Sequence, residues 1–490
     1  MDGIAGIYSP NDSGLVDKVL FEIGLEQHRG KESSGVAIGN GKGTYIRKEL
    51  CGIDSLMDDD MKRAFSDLGP VAAIANVGYT KSRIAERRNA EPIRVKTKTS
   101  TKYEVVLTMD GDVLRENSLK AELEDDYQFR TGNITEVVGA LLHKYITEEG
   151  ISFEAGRRLV DKLHGRATFA LVAFVYDGKE TYMITLNDDR AFEPFCYGNV
   201  DGAFVVASES VSHERLGGRM EREFNGAEMA ICSREGIEKK RVRDDAVIMP
   251  DIFQAIYYGH PSSMFRGKEI LQIRRELGRE LVDHYKTSCA DIVVPIPESG
   301  WGVSLGLEDR LGIKIPPALV KNARAVRTFP ERDAKAKAMF KFAGIRSLIE
   351  GLKIAAGDDS IVKGSVTEGG AVWWLRHSGA KYIELWVSYG PMFFPSFKEW
   401  HRGRICIEEL AVQRAFEGDN PYDKGIDEIN RAVANLSGVD AVMYNLQEII
   451  ERVAGQGSFQ ALDASYPISE EFWPGWLKAE VERFHRSRTA

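Results

Sequence analysis

The sequence predicts two layered domains in series: an α+β sandwich, then an α/β domain built on a parallel, doubly wound sheet. Three observations predict this. Short β-like runs punctuated by glycine dominate the first half, strands alternate with helices between residues 246 and 415, and the composition suits packed cores. Of 490 residues, 43 % are hydrophobic and 28 % charged, the balance of a globular chain long enough for several domains.

The first block, 1–245, carries VAAIANVGYT, YEVVLTM, ATFALVAFVYD and GAFVVASES as strands. Two helical patterns interrupt them, Leu15 to Gln27 and Ile134 to Tyr145, the second with Val137, Val138, Leu141 and Leu142 at helical spacing. Strands joined by hairpins with helices set apart indicate an α+β layered domain. The basic, alternating IRVKTKTSTK reads as a lysine-protected edge strand. In the second block, 246–415, a helix over Lys268–Tyr285 leads into the strand of ADIVVPIPESG. LKIAAGDDSIVKGS repeats the logic, followed by helix EGGAVWWLRHSGA and strand KYIELWVSYG. Such alternation gives a parallel sheet whose ligand lies outside the carboxyl ends of its strands. The last block, 416–490, reads as a mainly helical extension (IDEINRAVANL, LQEIIERV, WLKAEVERF) with an aromatic tail of Phe472, Trp473 and Trp476.

Composition narrows the function. A net charge of −9 and no long basic run argue against a nucleic-acid partner. No stretch reaches the roughly 18 apolar residues of a membrane span, and MDGIAGIYSP lacks signal-peptide character, so a cytoplasmic location is expected. Five cysteines (Cys51, Cys196, Cys232, Cys289 and Cys406), without a CxxC pair, exclude a disulfide framework and argue against a cysteine-built metal site.

The strongest chemical signal is GDDSIVKGS, residues 357–365, directly after an apolar strand. Asp358 and Asp359 stand where they could accept hydrogen bonds from vicinal sugar hydroxyls. Ser360 to Ser365 are expected to open a helix whose unpaired N–H groups favour a phosphate, with Gly364 allowing close approach. A plain acidic helix cap would use the same residues. PIPESG, 295–300, offers a second anion loop through Ser299 and Gly300, and two such loops on neighbouring strands suit a ligand phosphorylated at both ends.

GDDSIVKGS resembles the phosphoribosyl-pyrophosphate motif of type I phosphoribosyltransferases. From residue 1 to about 450 the chain resembles the glutamine phosphoribosylpyrophosphate amidotransferase family, which opens purine synthesis. MDGIAGIY, QHRGKESSGVAIG, NAEP, LHGRATFALV, VASES, PIPESG, KNARAVRTF and GDDSIVKG carry the resemblance. It implies an N-terminal nucleophile hydrolase-type glutaminase domain (1–245), a type I phosphoribosyltransferase domain (246–415) and a homo-oligomer. It implies Mg²⁺ near Ser299, Asp358 and Asp359, and a 5′-phosphate held by Ser360, Ile361, Val362, Lys363, Gly364 and Ser365. Glu298, Ser299 and Gly300 would meet the pyrophosphate. Lys321, Asn322, Arg324, Arg327 and Thr328 would lie in a closing loop, with Arg327 and Lys341 assigned to catalysis.

The chain departs from the family at several positions. Lys363 replaces an arginine, Val366 a threonine and Glu298 an aspartate. Ala323 and Arg324 replace an arginine–tyrosine pair, Val326 a glycine, and Met339 an arginine ahead of Lys341. In the glutaminase half, Asp2 takes the place of the nucleophilic cysteine and would stay behind Met1. Gly78 replaces the arginine for the glutamine carboxylate, and Asp110 the oxyanion asparagine. Cys51 has no visible base, Ser396 aligns with an iron–sulfur cysteine so that no cluster is expected, and His28 belongs to the scaffold. The expectation is phosphoribosyl transfer to ammonia or another amine with an inactive glutaminase. The alternatives are a non-catalytic ligand-binding homologue that regulates a partner, and transfer to a heterocyclic acceptor.

Overall fold

The computed structural model describes residues 2–10, 12, 14–56, 58–79, 86–322, 341–364 and 370–489. The chain divides into two compact units, Met1–Asp251 with Pro467–Phe472, and Ile252–Tyr466 with Trp473–Ala490.

The N-terminal unit is built on two antiparallel sheets. Seven strands form the first, in the order Arg219–Glu223, Cys196–Val200, Ala203–Ala207, Gly3–Tyr8, Ala72–Gly78, Ser33–Gly39 and Thr44–Glu49. Six form the second, in the order Gly236–Arg241, Glu228–Ser233, Thr181–Asn187, Ala167–Tyr176, Glu104–Val113 and Ile93–Arg94. Alternation within each strand decides which layer a side chain joins. Ile4 and Tyr8 enter the core between the sheets with Ile74, Val106, Val172 and Phe174. Ala5 and Ile7 point the other way, against Leu15, Val16, Val19 and Ile23 of the helix Leu15–Leu25. The outer face of the second sheet is covered by the helices Thr135–Glu149 and Phe153–Leu163. The result is a sandwich of four layers, in keeping with the α+β layered domain that the strand patterns predict. The edge-strand expectation holds only at Ile93–Arg94; beyond it Thr97 makes a single bridge to Tyr127, and the lysine-bearing remainder forms no strand.

The C-terminal unit holds a four-stranded, wholly parallel sheet in the order Ile292–Pro295, Lys353–Asp358, Tyr382–Val387 and Ala441–Tyr444. The fourth strand comes from the block read as mainly helical. Four residues, AVMY, are too few to show a period, and helices flank them at Ile426–Ser437 and Gln447–Ala454. A small antiparallel pair, Leu319–Lys321 with Phe342–Gly344, stands apart from the main sheet.

Candidate functional site

The parallel sheet places two loops side by side. Pro295 is in register with Gly357, and the Ile296 N–H donates to the Gly357 carbonyl at 2.9 Å, so PIPESG and GDDSIVKG emerge from adjacent carboxyl ends. Gly300 makes this approach possible: a Cβ there would lie 2.1 Å from the Gly357 carbonyl oxygen. Ser388 and Tyr389, following the next strand, donate their N–H groups to the carbonyls of Asp358 and Asp359 at 3.1 and 2.9 Å.

Asp358 and Asp359 are buried at the strand end. The Asp359 N–H donates to Asp358 Oδ1 at 2.9 Å, and the Ser360 hydroxyl donates to Asp359 Oδ2 at 2.6 Å. Burial, then the charge and hydrogen bond of Asp359, push the Asp358 carboxyl well above the usual carboxylate range, with the Lys341 ammonium opposing. A like charge beside a buried carboxyl disfavours its ionisation. Among the described residues no group of three or more His, Cys, Asp or Glu side chains converges as a metal cage. Two adjacent carboxylates fit instead an ion whose remaining ligands are substrate phosphates and water, the habit of Mg²⁺.

No helix begins at Ser360, contrary to expectation. Residues 360–364 form a loop, and the next described helix is Ala371–His377. The carbonyls of Val362 and Lys363 are taken by Ala411 and Arg414 at 2.7 and 2.6 Å, and Gly364 sits at φ +70°, so the helical ladder cannot start here. A phosphate at this loop would meet backbone amides and hydroxyls. Ile361 is buried and Val362 packs against the core cluster of Ile252 and Phe459, so these side chains anchor the loop. The Lys363 ammonium pairs with Glu409 at 2.9 Å.

Glu298 is exposed, and Lys321 Nζ lies 3.8 Å from its Oε1. The Asn322 N–H donates to the Lys341 carbonyl at 2.9 Å, which brings together two residues nineteen positions apart; the Lys341 ammonium lies over the Phe342 ring. Arg324, Arg327, Thr328, Ser365, Ala323, Val326, Val366 and Met339 lie outside the described residues.

In the N-terminal unit, Asp2, Gly78 and Asp110 do converge. The Asp2 N–H donates to Asp110 Oδ1 at 3.1 Å, and the Tyr79 N–H to Asp2 Oδ1 at 3.2 Å. A Cβ at residue 78 would stand 2.8 Å from Asp2 Oδ1, so a side chain at 78 and a carboxylate at 2 compete for one space. The hub is Arg29 of QHRG, whose role sequence reading missed. Buried with its carboxylate neighbours, it donates to the Asp2 carbonyl at 3.0 Å, Glu209 Oε1 at 2.9 Å and Asp110 Oδ2 at 3.2 Å. Burial opposes its charge, but Glu209, Asp110 and Glu26 outweigh this and hold the guanidinium above its ordinary value. His28 Nε2 meets Glu209 Oε1 at 2.8 Å from the edge of the cluster.

Comparisons with known proteins agree with this architecture. A family profile described as a glutamine amidotransferase domain matches residues 84–213. The amidophosphoribosyltransferase of Archaeoglobus fulgidus is 26 % identical over 479 residues, 96 % of this chain and 98 % of that one. The chloroplastic amidophosphoribosyltransferase of Glycine max is 27 % identical over 462 residues, 89 % of this chain and 77 % of its own length. Among solved structures, the glutamine phosphoribosylpyrophosphate amidotransferase of B. subtilis, complexed with ADP and GMP, superposes with a TM-score of 0.80 at 22 % identity, covering 96 % of this chain and 98 % of that one. Along nearly its whole length the chain is thus similar in sequence to amidophosphoribosyltransferases, and it shares the fold of the solved B. subtilis enzyme.

Proposed function

We propose that the chain binds Mg²⁺-phosphoribosyl pyrophosphate at the carboxyl edge of the parallel sheet and transfers its phosphoribosyl group to ammonia or another small amine, without hydrolysing glutamine. The observation that carries the first half is the register of Pro295 with Gly357, which sets two anion loops side by side with a carboxylate pair at the root of one. The loop 360–364 would grip the 5′-phosphate through backbone N–H groups and the Ser360 hydroxyl. Asp358 and Asp359 would accept from the vicinal ribose hydroxyls and fix the anomeric carbon between the loops. The backbone of Ser299 and Gly300, with Lys321 beside Glu298, would receive the pyrophosphate. Positioning of this kind supplies much of the catalysis where the sugar becomes oxocarbenium-like as its leaving group departs. Asp358, Asp359 and the Ser299 hydroxyl are the oxygen donors that would hold Mg²⁺, which when bound neutralises the leaving group.

The second half rests on Asp110. It accepts from the Asp2 N–H and from Arg29, so it presents acceptors where amide hydrolysis needs a donor. Loss of one such donor costs about 3–4 kcal/mol of transition-state stabilisation. A carboxylate at position 2 is also a poor nucleophile toward an amide. The deciding experiment combines calorimetry with Mg²⁺-phosphoribosyl pyrophosphate and an amine panel followed by pyrophosphate release, with glutamate assayed in parallel. Binding, release with ammonia or an amine, and no glutamate from glutamine are expected. Absence of binding overturns the site, and glutamate formation overturns the loss of glutaminase activity.

A further inference from the structure

We propose that the segment Glu409–Arg414 is a brace that orients the amides of the loop 360–364, with Arg414 as a positioning residue; this rests on the reading that the loop holds a sugar phosphate. Arg414 Nη1 donates to the Lys363 carbonyl at 2.6 Å, and the Ala411 N–H to the Val362 carbonyl at 2.7 Å. Glu409 joins both sides of the contact: Oε1 takes the Lys363 ammonium at 2.9 Å, and Oε2 accepts the Cys406 N–H at 2.8 Å. The brace is itself anchored, because Leu410, Ala411 and Val412 are wholly buried.

In a planar trans peptide the C=O and N–H point in opposite directions. With the carbonyls of Val362 and Lys363 drawn to the brace, the N–H groups of Lys363 and Gly364 are turned to the opposite side of the loop. The φ of +70° at Gly364, a value glycine adopts without strain, is part of the same arrangement. Successive N–H groups on one side of a turn make an anion-binding concavity. Arg414 would therefore act on the phosphate through the Lys363 carbonyl. Lys363, whose ammonium is committed to Glu409, would act as part of the brace, with no direct contact to the phosphate.

The test uses the full chain with Arg414→Ala and Arg414→Lys. Calorimetry reads ribose 5-phosphate affinity, kinetics read KM and kcat for the pyrophosphorylated sugar, and hydrogen–deuterium exchange of a 360–364 peptide reads the loop without ligand. Arg414 is exposed, so both variants fold. Arg414→Ala is expected to weaken ribose 5-phosphate about tenfold, the effect of one lost charge-assisted hydrogen bond, and to speed exchange. It should raise KM while leaving kcat nearly unchanged. Arg414→Lys, still able to donate to the carbonyl, should stay near the parent. Parental affinity and exchange in Arg414→Ala would overturn the brace. Equal loss in both variants would mean direct phosphate contact and overturn the positioning role. If the parent binds no ribose 5-phosphate while exchange still responds to Arg414→Ala, the phosphate reading fails and takes the proposal with it, although the hydrogen bond stands.

Discussion

Asp358 owes its behaviour to its position: a carboxyl buried at a strand end, beside a second one, holds its proton above the ordinary range. Its folded pKa is raised, so its stabilising contribution is complete below the unfolded value of 3.8 and is lost as pH rises. Asp358→Asn, neutral throughout, should lose less melting temperature than the parent between pH 5 and 8, and should bind Mg²⁺-phosphoribosyl pyrophosphate far more weakly in calorimetry. A parallel fall of both melting curves with pH would show that Asp358 is ionised in the folded chain. Arg29 poses the opposite case, a lone buried guanidinium serving Asp2, Asp110 and Glu209. Arg29→Ala leaves two carboxylates buried without that cation, a change that costs about 3–5 kcal/mol; the urea midpoint of the N-terminal unit should drop accordingly. Sequence made Asp2, Gly78 and Asp110 visible, because the family resemblance sets each against a residue type that glutamine hydrolysis uses. It did not reveal Arg29, because an arginine in QHRG gives no sign of burial until a chain turn and two sheets close around it.

At the scale of elements, strands and helices were legible wherever periodicity ran for several residues. The helix expected over Lys268–Tyr285 forms over Ile270–Tyr285, and the strand in KYIELWVSYG over Tyr382–Val387. The exceptions have physical causes. GDDSIVKG has a capping pattern, yet its carbonyls are claimed by a segment some fifty residues away, a tertiary override that no local pattern encodes. Two packed elements yield further predictions. Gly300 allows the PIPESG loop to lie on the Gly357 carbonyl, so Gly300→Ala should destabilise the C-terminal unit by about 1–3 kcal/mol in urea melts, since a Cβ would sit at 2.1 Å. Between the helices Leu15–Leu25 and Ser210–Arg215, Glu22 Oε1 meets His213 Nδ1 at 2.9 Å, and His213 Nε2 meets Cys196 Sγ at 3.4 Å. Burial pushes Glu22 well above 4.5 and lowers His213 to about 4, so a neutral chain of hydrogen bonds is favoured. Glu22 withdraws stability as pH rises above 4.5, by about 1.4 kcal/mol per pH unit at full effect. His213 withdraws it as pH falls from 6.5 toward 4. Glu22→Gln should flatten the alkaline limb alone; an unchanged slope would assign Glu22 a charge in the folded state.

For the whole molecule, chain order and spatial unit part company near the C-terminus. Pro467–Phe472 belongs to the N-terminal unit although residues on both sides belong to the other. The Ser469 N–H donates to the Gly165 carbonyl at 2.8 Å, Arg115 Nη2 donates to the Glu471 carbonyl at 3.1 Å, and the Phe472 ring lies 4.8 Å from the Arg115 guanidinium and 5.5 Å from that of Arg166. The aromatic tail was visible in sequence as a feature, but its partners were not, since a stacking arginine more than three hundred residues upstream leaves no local trace. The two units carry separate hydrophobic clusters, so unfolding need not be a single transition, and a stability change should be read where it arises. Phe472→Ala removes both cation–π contacts and should cost the N-terminal unit about 1–2 kcal/mol. Native-state hydrogen exchange separates the outcomes: slow amides in Ala167–Tyr176 should exchange about five- to thirtyfold faster, while those in Lys353–Asp358 keep their parental rates. Equal acceleration in both strands would mean that the two units unfold as one cooperative body, and no change in either would mean that the ring contributes nothing to the N-terminal unit.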